Sequence, residues 1–253
     1  MDTFHLSNFN FTTEQWLLSL FCAACIGMSK TGLAGIGILV IPLMAALFGG
    51  RMSTGIILPM LISADVFAVI YFRRHAEWKY IGRLLPWALV GIAASLLVGK
   101  NIDDQLFKRL IAVTVLLSIS VSIWNDHFNT KKKEWNEWWV SAAFGLVGGF
   151  STMIGNAAGP VMIVYLISMN LPKTTFIGTA AWFFAIINLI KLPLQIWGWN
   201  NITADGLIFN LLMLPAIVVG GAAGLFFLKK IPEKYFRLFI LGITIIGAIY
   251  LFI

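Results

Sequence analysis

Charge is what this chain has least of. Asp, Glu, Lys and Arg make up 11% of 253 residues, against roughly 25% in soluble domains. Apolar residues reach 59%, and the mean hydropathy is +0.88. No stretch of soluble-domain length separates the apolar runs, so the chain reads as one polytopic, all-α transmembrane unit. The first 14 residues, Met1 to Glu14, hold no Lys or Arg, and no cleaved signal peptide is expected there. The only cysteines, Cys22 and Cys25, lie inside an apolar run, where packing is the expected role. His5, His75 and His127 are scattered over terminal and loop positions. Neither metal nor cofactor is expected. The apolar segments also lack a Ser-His pairing, paired catalytic carboxylates and an H-E-x-x-H motif, so no enzyme is expected. The net charge of +7 resides in short loops, where membrane topology places it. Nucleic acid is therefore not an expected partner; the lipid bilayer is.

Eight apolar segments are present, at 15–49, 55–72, 82–99, 107–124, 137–169, 174–194, 207–228 and 236–253. About 20 residues span a bilayer. The first and fifth segments are too long for one crossing and short for two, so each is read as a hairpin returning to its own side. The loop cations support this. Hairpins put twelve Lys and Arg on one side and four on the other, whereas single crossings would divide them nine to seven. The larger group marks the cytoplasm. A multi-pass protein of the cell (inner) membrane with both termini outside follows. The count leaves open whether each hairpin is re-entrant or a pair of short spans.

Each long segment carries a polar interruption. Gly27-Met28-Ser29-Lys30-Thr31-Gly32-Leu33-Ala34-Gly35-Ile36-Gly37 breaks the first, and Gly148 to Pro160 breaks the fifth. Unwound backbone at membrane depth is tolerated only inside protein or beside water, and an intramembrane lysine points to function. Half-helices starting near Leu33 and Ala157 would aim free N–H groups and positive dipole ends at the breaks. Ser29, Thr31, Ser151, Thr152 and Asn156 would add neutral donors and Lys30 a full charge. Gly32, Gly35 and Gly155 would admit a ligand to the backbone. The competing reading gives the hydroxyls to freed helix carbonyls and the glycines to helix packing.

The two halves resemble each other. Leu85-Pro86 to Ala94 aligns with Leu214-Pro215 to Ala223 at an offset of 129, and upstream an offset of 121 pairs Gly27 with Gly148 and Thr31 with Thr152. Repeat 1 covers 15–124, a cytoplasmic linker 125–136, and repeat 2 covers 137–253. The parity of the crossings makes the repeats inverted. Transporters of that kind hold substrate near the midplane between repeats, beside broken helices. Pro42, Pro86, Pro160 and Pro215 offer bends.

With these breaks, the chain resembles the sulfite exporter TauE/SafE family of permeases. The resemblance rests on Gly27 to Gly37 with Pro42, and on Gly148-Gly149 and Gly155-Asn156. It implies secondary transport of a small sulfur-containing anion (sulfite, an organosulfonate or sulfoacetate) and, in some members, of organic carboxylates. The second copy has Ser151 and Asn156 in place of a lysine, so the two sides of the site should be chemically unequal.

Asp65, inside the second segment, is expected either to pair with Lys30 or to carry a coupled proton. Lys191, with Asn188 and Gln195 in the outer third of the sixth segment, is expected to snorkel outward, with an anion entrance as the alternative. The leading expectation is an alternating-access carrier of a small anion, with H+ as a second partner. An anion channel, or a carrier of a non-sulfur carboxylate, is the alternative. Oligomeric state is not encoded in any of these features.

Overall fold

The computed structural model describes residues 3–6, 9–33, 36–100, 102–103, 105–106, 109–110, 113, 138–169 and 171–230. The fourth segment beyond residue 113, the 125–136 linker and the eighth segment lie outside these. Eight α-helices carry the described fold. They are α1 (Thr13–Thr31), α2 (Gly37–Phe48), α3 (Gly50–Phe72), α4 (Trp78–Lys100), α5 (Trp138–Gly155), α6 (Gly159–Ser168), α7 (Lys173–Pro193) and α8 (Ala204–Lys230). A π-helical turn, Leu194–Trp199, prolongs α7. Five of these helices are long and apolar enough to cross a membrane: α3, α4, α5, α7 with its π-turn, and α8. The chain is thus an all-α polytopic membrane protein, with one small addition at its start. Thr3–Leu6 (β1) and Phe9–Thr12 (β2) pair as an antiparallel hairpin, which the sequence reading did not include. Phe11 of β2 packs edge-on against Trp16, Phe48 and Phe209, covering one end of α1, α2 and α8.

Local chemistry sets the helix ends. Thr12 Oγ1 accepts from Gln15 N–H and Gln15 Oε1 accepts from Thr12 N–H, a reciprocal cap that starts α1. Gly49, at φ 83°, separates α2 from α3, a conformation glycine adopts without steric cost. Asn156, at φ 56°, stops α5; asparagine is among the few other residues that visit this region readily.

The long segments are asymmetric hairpins. α1 has 19 residues and α2 has 12, or about 28 and 18 Å. α5 has 18 and α6 has 10, or about 27 and 15 Å. In each, a nearly full-length first arm is followed by a short second one. The breaks also begin later than read. Gly27 to Thr31 are helical, and the chain leaves α1 at Gly32. The second helices begin at Gly37 and Gly159 rather than near Leu33 and Ala157.

The reason is the use of the early glycines. A methyl group on Gly27 would overlap the Ile217 carbonyl of α8, and one on Gly149 would overlap the Ala88 carbonyl of α4. Gly220 meets Ala24 O, and Gly91 meets Leu146 O, in the same manner. These glycines let α1 lie on α8 and α5 on α4 at backbone contact. The two contacts are related by 122 positions in α1/α5 and by 129 in α8/α4, one residue from the register of 121 read upstream.

Two cores result. Cys22, Ile26, Met44, Ile57, Met60, Phe209 and Met213 join α1, α2 and α3 to α8. Leu84, Ala88, Met153, Tyr165, Leu166 and Phe183 join α4 to α5, α6 and α7. The first core takes three helices from the first half of the chain and α8 from the second; the other adds Ile38 and Ile41 of α2 and Phe72 of α3 to α4–α7. Leu97, Trp138, Trp197 and Val219 point outward, as a lipid-facing surface requires. The site lies between the two cores.

Candidate functional site

Both breaks open onto one cavity of about 80 Å³. Ser29, Lys30 and Gly32 line it from the end of α1, and Gly37 from the start of α2. Thr152, Asn156 and Gly159 line it from α5, the second break and α6. Neither α2 nor α6 has a side-chain cap at its N-terminus, and their first residues, Gly37 and Gly159, both line the cavity. A methyl group on Gly159 would meet nothing within 4 Å. The backbone there is open to a ligand.

Charged groups connect the breaks. Lys30 Nζ lies 2.8 Å from Asp65 Oδ1 and 4.2 Å above the Phe184 ring. The Lys30 side chain keeps 11% of its surface accessible while Asp65 keeps 2%. Asp65 Oδ2 accepts from Asn188 Nδ2 at 2.6 Å. The oxygen of that same amide accepts from Lys191 Nζ at 3.2 Å. Lys191 also donates to Thr152 Oγ1 at 3.0 Å and to Asn156 Oδ1 at 2.5 Å. An ammonium has three protons, and here each has an oxygen. One network therefore runs from the first break through α3 and α7 to the second. It contains two lysines and one aspartate, and of the two lysines it is Lys30 that lines the cavity.

Lys191 is completely buried, which corrects the outward snorkelling expected of it. The π-turn adds six residues beyond α7, so Lys191 is not at the end of its helical segment. It sits three residues after Asn188, on the same helical face, and both turn toward the second break.

The second break is tied down more tightly than the first. Asn156 Nδ2 donates to Thr54 O at 3.1 Å, and Asn201 Nδ2 donates to Thr54 Oγ1 at 2.9 Å and to Arg51 O at 3.1 Å. Arg51 in turn reaches Gly99 O and Ile102 O. One asparagine thus ends a helix, holds α3 and accepts from Lys191.

The remaining sequence candidates separate. Thr31 is buried, and its single hydroxyl proton is shared between Gly221 O of α8 at 2.8 Å and Gly27 O at 3.2 Å. Ser151 is buried and donates to Val147 O. These two hydroxyls serve helix carbonyls and line no part of the cavity. Gly155 closes α5 away from the cavity lining. Ser29 Oγ donates to Ile26 O at 2.8 Å yet remains in the lining. Gln195 is buried in the π-turn, its side-chain amide without a hydrogen-bond partner among the described residues. Gly35 lies outside the described residues. Sequence reasoning missed Thr54 as an anchor, Asn201, Phe184 and the terminal glycines Gly37 and Gly159. Those two glycines stand 122 positions apart, a signal available in the repeat register.

Neither a curated protein nor a solved structure matches the chain. The family model described as sulfite exporter TauE/SafE matches residues 19–251. A paired-break membrane fold and a match over nearly the whole length agree, and the chain belongs to the TauE/SafE sulfite exporter family of membrane transporters.

Proposed function

We propose that the protein is a secondary carrier of a small sulfur-containing anion, held between the two helix breaks and reached from each side in turn. The observation that carries this reading is the meeting of two uncapped helix N-termini, at Gly37 and Gly159, with Lys30 in one cavity. Free N–H groups and dipole ends favour an anion, and Lys30 is the cation with accessible surface. In this reading Lys30 binds the anion directly. Asp65 holds Lys30 in the empty site and takes the coupled proton as substrate displaces it. Lys191 stays with Thr152 and Asn156 as the fixed charge behind the second break.

The alternation follows from inverted repeats, 15–124 and 137–253, exchanging their roles. The reciprocal Gly27–Ile217 and Gly149–Ala88 contacts support that reading. The protein would then lie in the cell membrane with loops 73–83 and 170–174 in the cytoplasm.

Purified protein in proteoliposomes should take up labelled sulfite saturably and exchange it for unlabelled sulfite on the far side. Large single-channel currents without exchange would instead identify a channel. Asp65→Asn should retain exchange while losing accumulation driven by a pH gradient. Normal pH-driven accumulation would remove Asp65 from coupling.

A further inference from the structure

The cavity is larger and less polar than an inorganic oxyanion needs. Its polar groups gather where the breaks meet, at Lys30, Thr152, Asn156 and Asn188. From Gly159 the wall follows α6 to Ile163 and Leu166, about 10 Å further on, and from Asn188 it follows α7 back to Phe176 and Ile177. No charged side chain lines this second stretch among the described residues. A volume of about 80 Å³ is room for roughly five to eight waters. A sulfonate or sulfite head fills only part of it.

We propose that the substrate is amphipathic: an oxyanion head, sulfonate or carboxylate, carrying an apolar body of about three or four carbons that lies along α6 and α7. This rests on the anion-site reading above and specifies its substrate class. The head meets Lys30 and the helix N-termini. The body lies against Ile163, Leu166, Phe176 and Ile177. Each methylene moved from water to such a wall adds roughly threefold to fourfold in affinity, while a bare oxyanion leaves the apolar part of the cavity uncovered.

The test is equilibrium binding by calorimetry to the full chain in detergent. Sulfite would be compared with methane-, ethane-, propane-, butane- and hexanesulfonate, and with carboxylates of matched length. Affinity should climb about threefold per carbon to propane- or butanesulfonate and then stop climbing. Ala180→Phe, which fills the apolar end, should lower the ratio of butanesulfonate to sulfite affinity at least tenfold. A rise along the carboxylates alone upholds the amphipathic site and moves the head from sulfur to carbon. Sulfite binding as tightly as every longer anion, with an unchanged ratio in the variant, would overturn this inference while leaving the anion site standing. If no anion binds at all, the anion-site reading itself falls.

Discussion

The two breaks use the same backbone device with opposite side-chain chemistry. At the first, Lys30 faces the cavity, and its only ion-pair partner among the described residues is Asp65, reached from α3. At the second, Lys191 comes from a different helix, is fully buried, and is held by three uncharged oxygens. Taking a charge out of water is costly unless it is paired or fully hydrogen-bonded. Lys191 meets that condition inside the protein. Lys30 keeps accessible surface beside its partner. The difference teaches that Lys30 is the lysine that lines the cavity, while Lys191 is enclosed and bonded to the second break.

The largest effects should come from what both halves share. Gly27→Val and Gly149→Val each drive a side chain into the carbonyl of the facing helix. Each should reduce the yield of folded protein severely, by similar amounts if the two contacts are equivalent; size-exclusion profiles check this. A severe loss in one and tolerance in the other would break the equivalence.

Next come the lysines. Lys30→Ala should weaken anion binding roughly 10- to 100-fold and lower stability by about 3 kcal/mol, because buried Asp65 loses its partner. Adding Asp65→Asn should restore stability without restoring binding. Lys191→Met leaves Asn156, Asn188 and Thr152 oxygens without a donor and should cost about 2 kcal/mol, with no second-site carboxylate change able to restore it. Thermal unfolding with and without ligand separates these outcomes.

The α3 anchor should matter less. Asn201→Ala removes the bonds to Thr54 Oγ1 and Arg51 O and should destabilise by about 1 kcal/mol. It should loosen Asn156 without touching the first break, which hydrogen exchange resolved to α5 and α6 would detect. Ser29→Ala is the smallest change. Its hydroxyl already serves Ile26 O, so stability should move by under about 0.5 kcal/mol, and any loss in affinity reports direct contact with the anion.

Much of this arrangement was legible along the chain. Hydroxyls and glycines inside apolar runs marked both breaks, a lysine marked the first, and Asp65 stood out because an intramembrane carboxylate needs a partner. What misled was one-dimensional. Gly27 and Gly149 look like places to unwind until a second helix is seen against them. Thr31 and Ser151 look like ligand donors until their helix carbonyls claim them. Lys191 lies near the end of its apolar run, and only the π-turn and Asn188 on the same face bring it inward. The β1–β2 hairpin left no mark because its strands have four residues each, too few to set up a pattern.

The central claim is that an anion sits where the N-termini of α2 and α6 converge on Lys30. A crystal structure of the protein soaked with selenite, recorded at the selenium edge, tests it most directly. The account predicts an anomalous peak within about 3.5 Å of Lys30 Nζ, beside the amides of residues 37 and 159, and its disappearance in Lys30→Ala. A peak elsewhere, or one that persists at this position without the lysine, would contradict it.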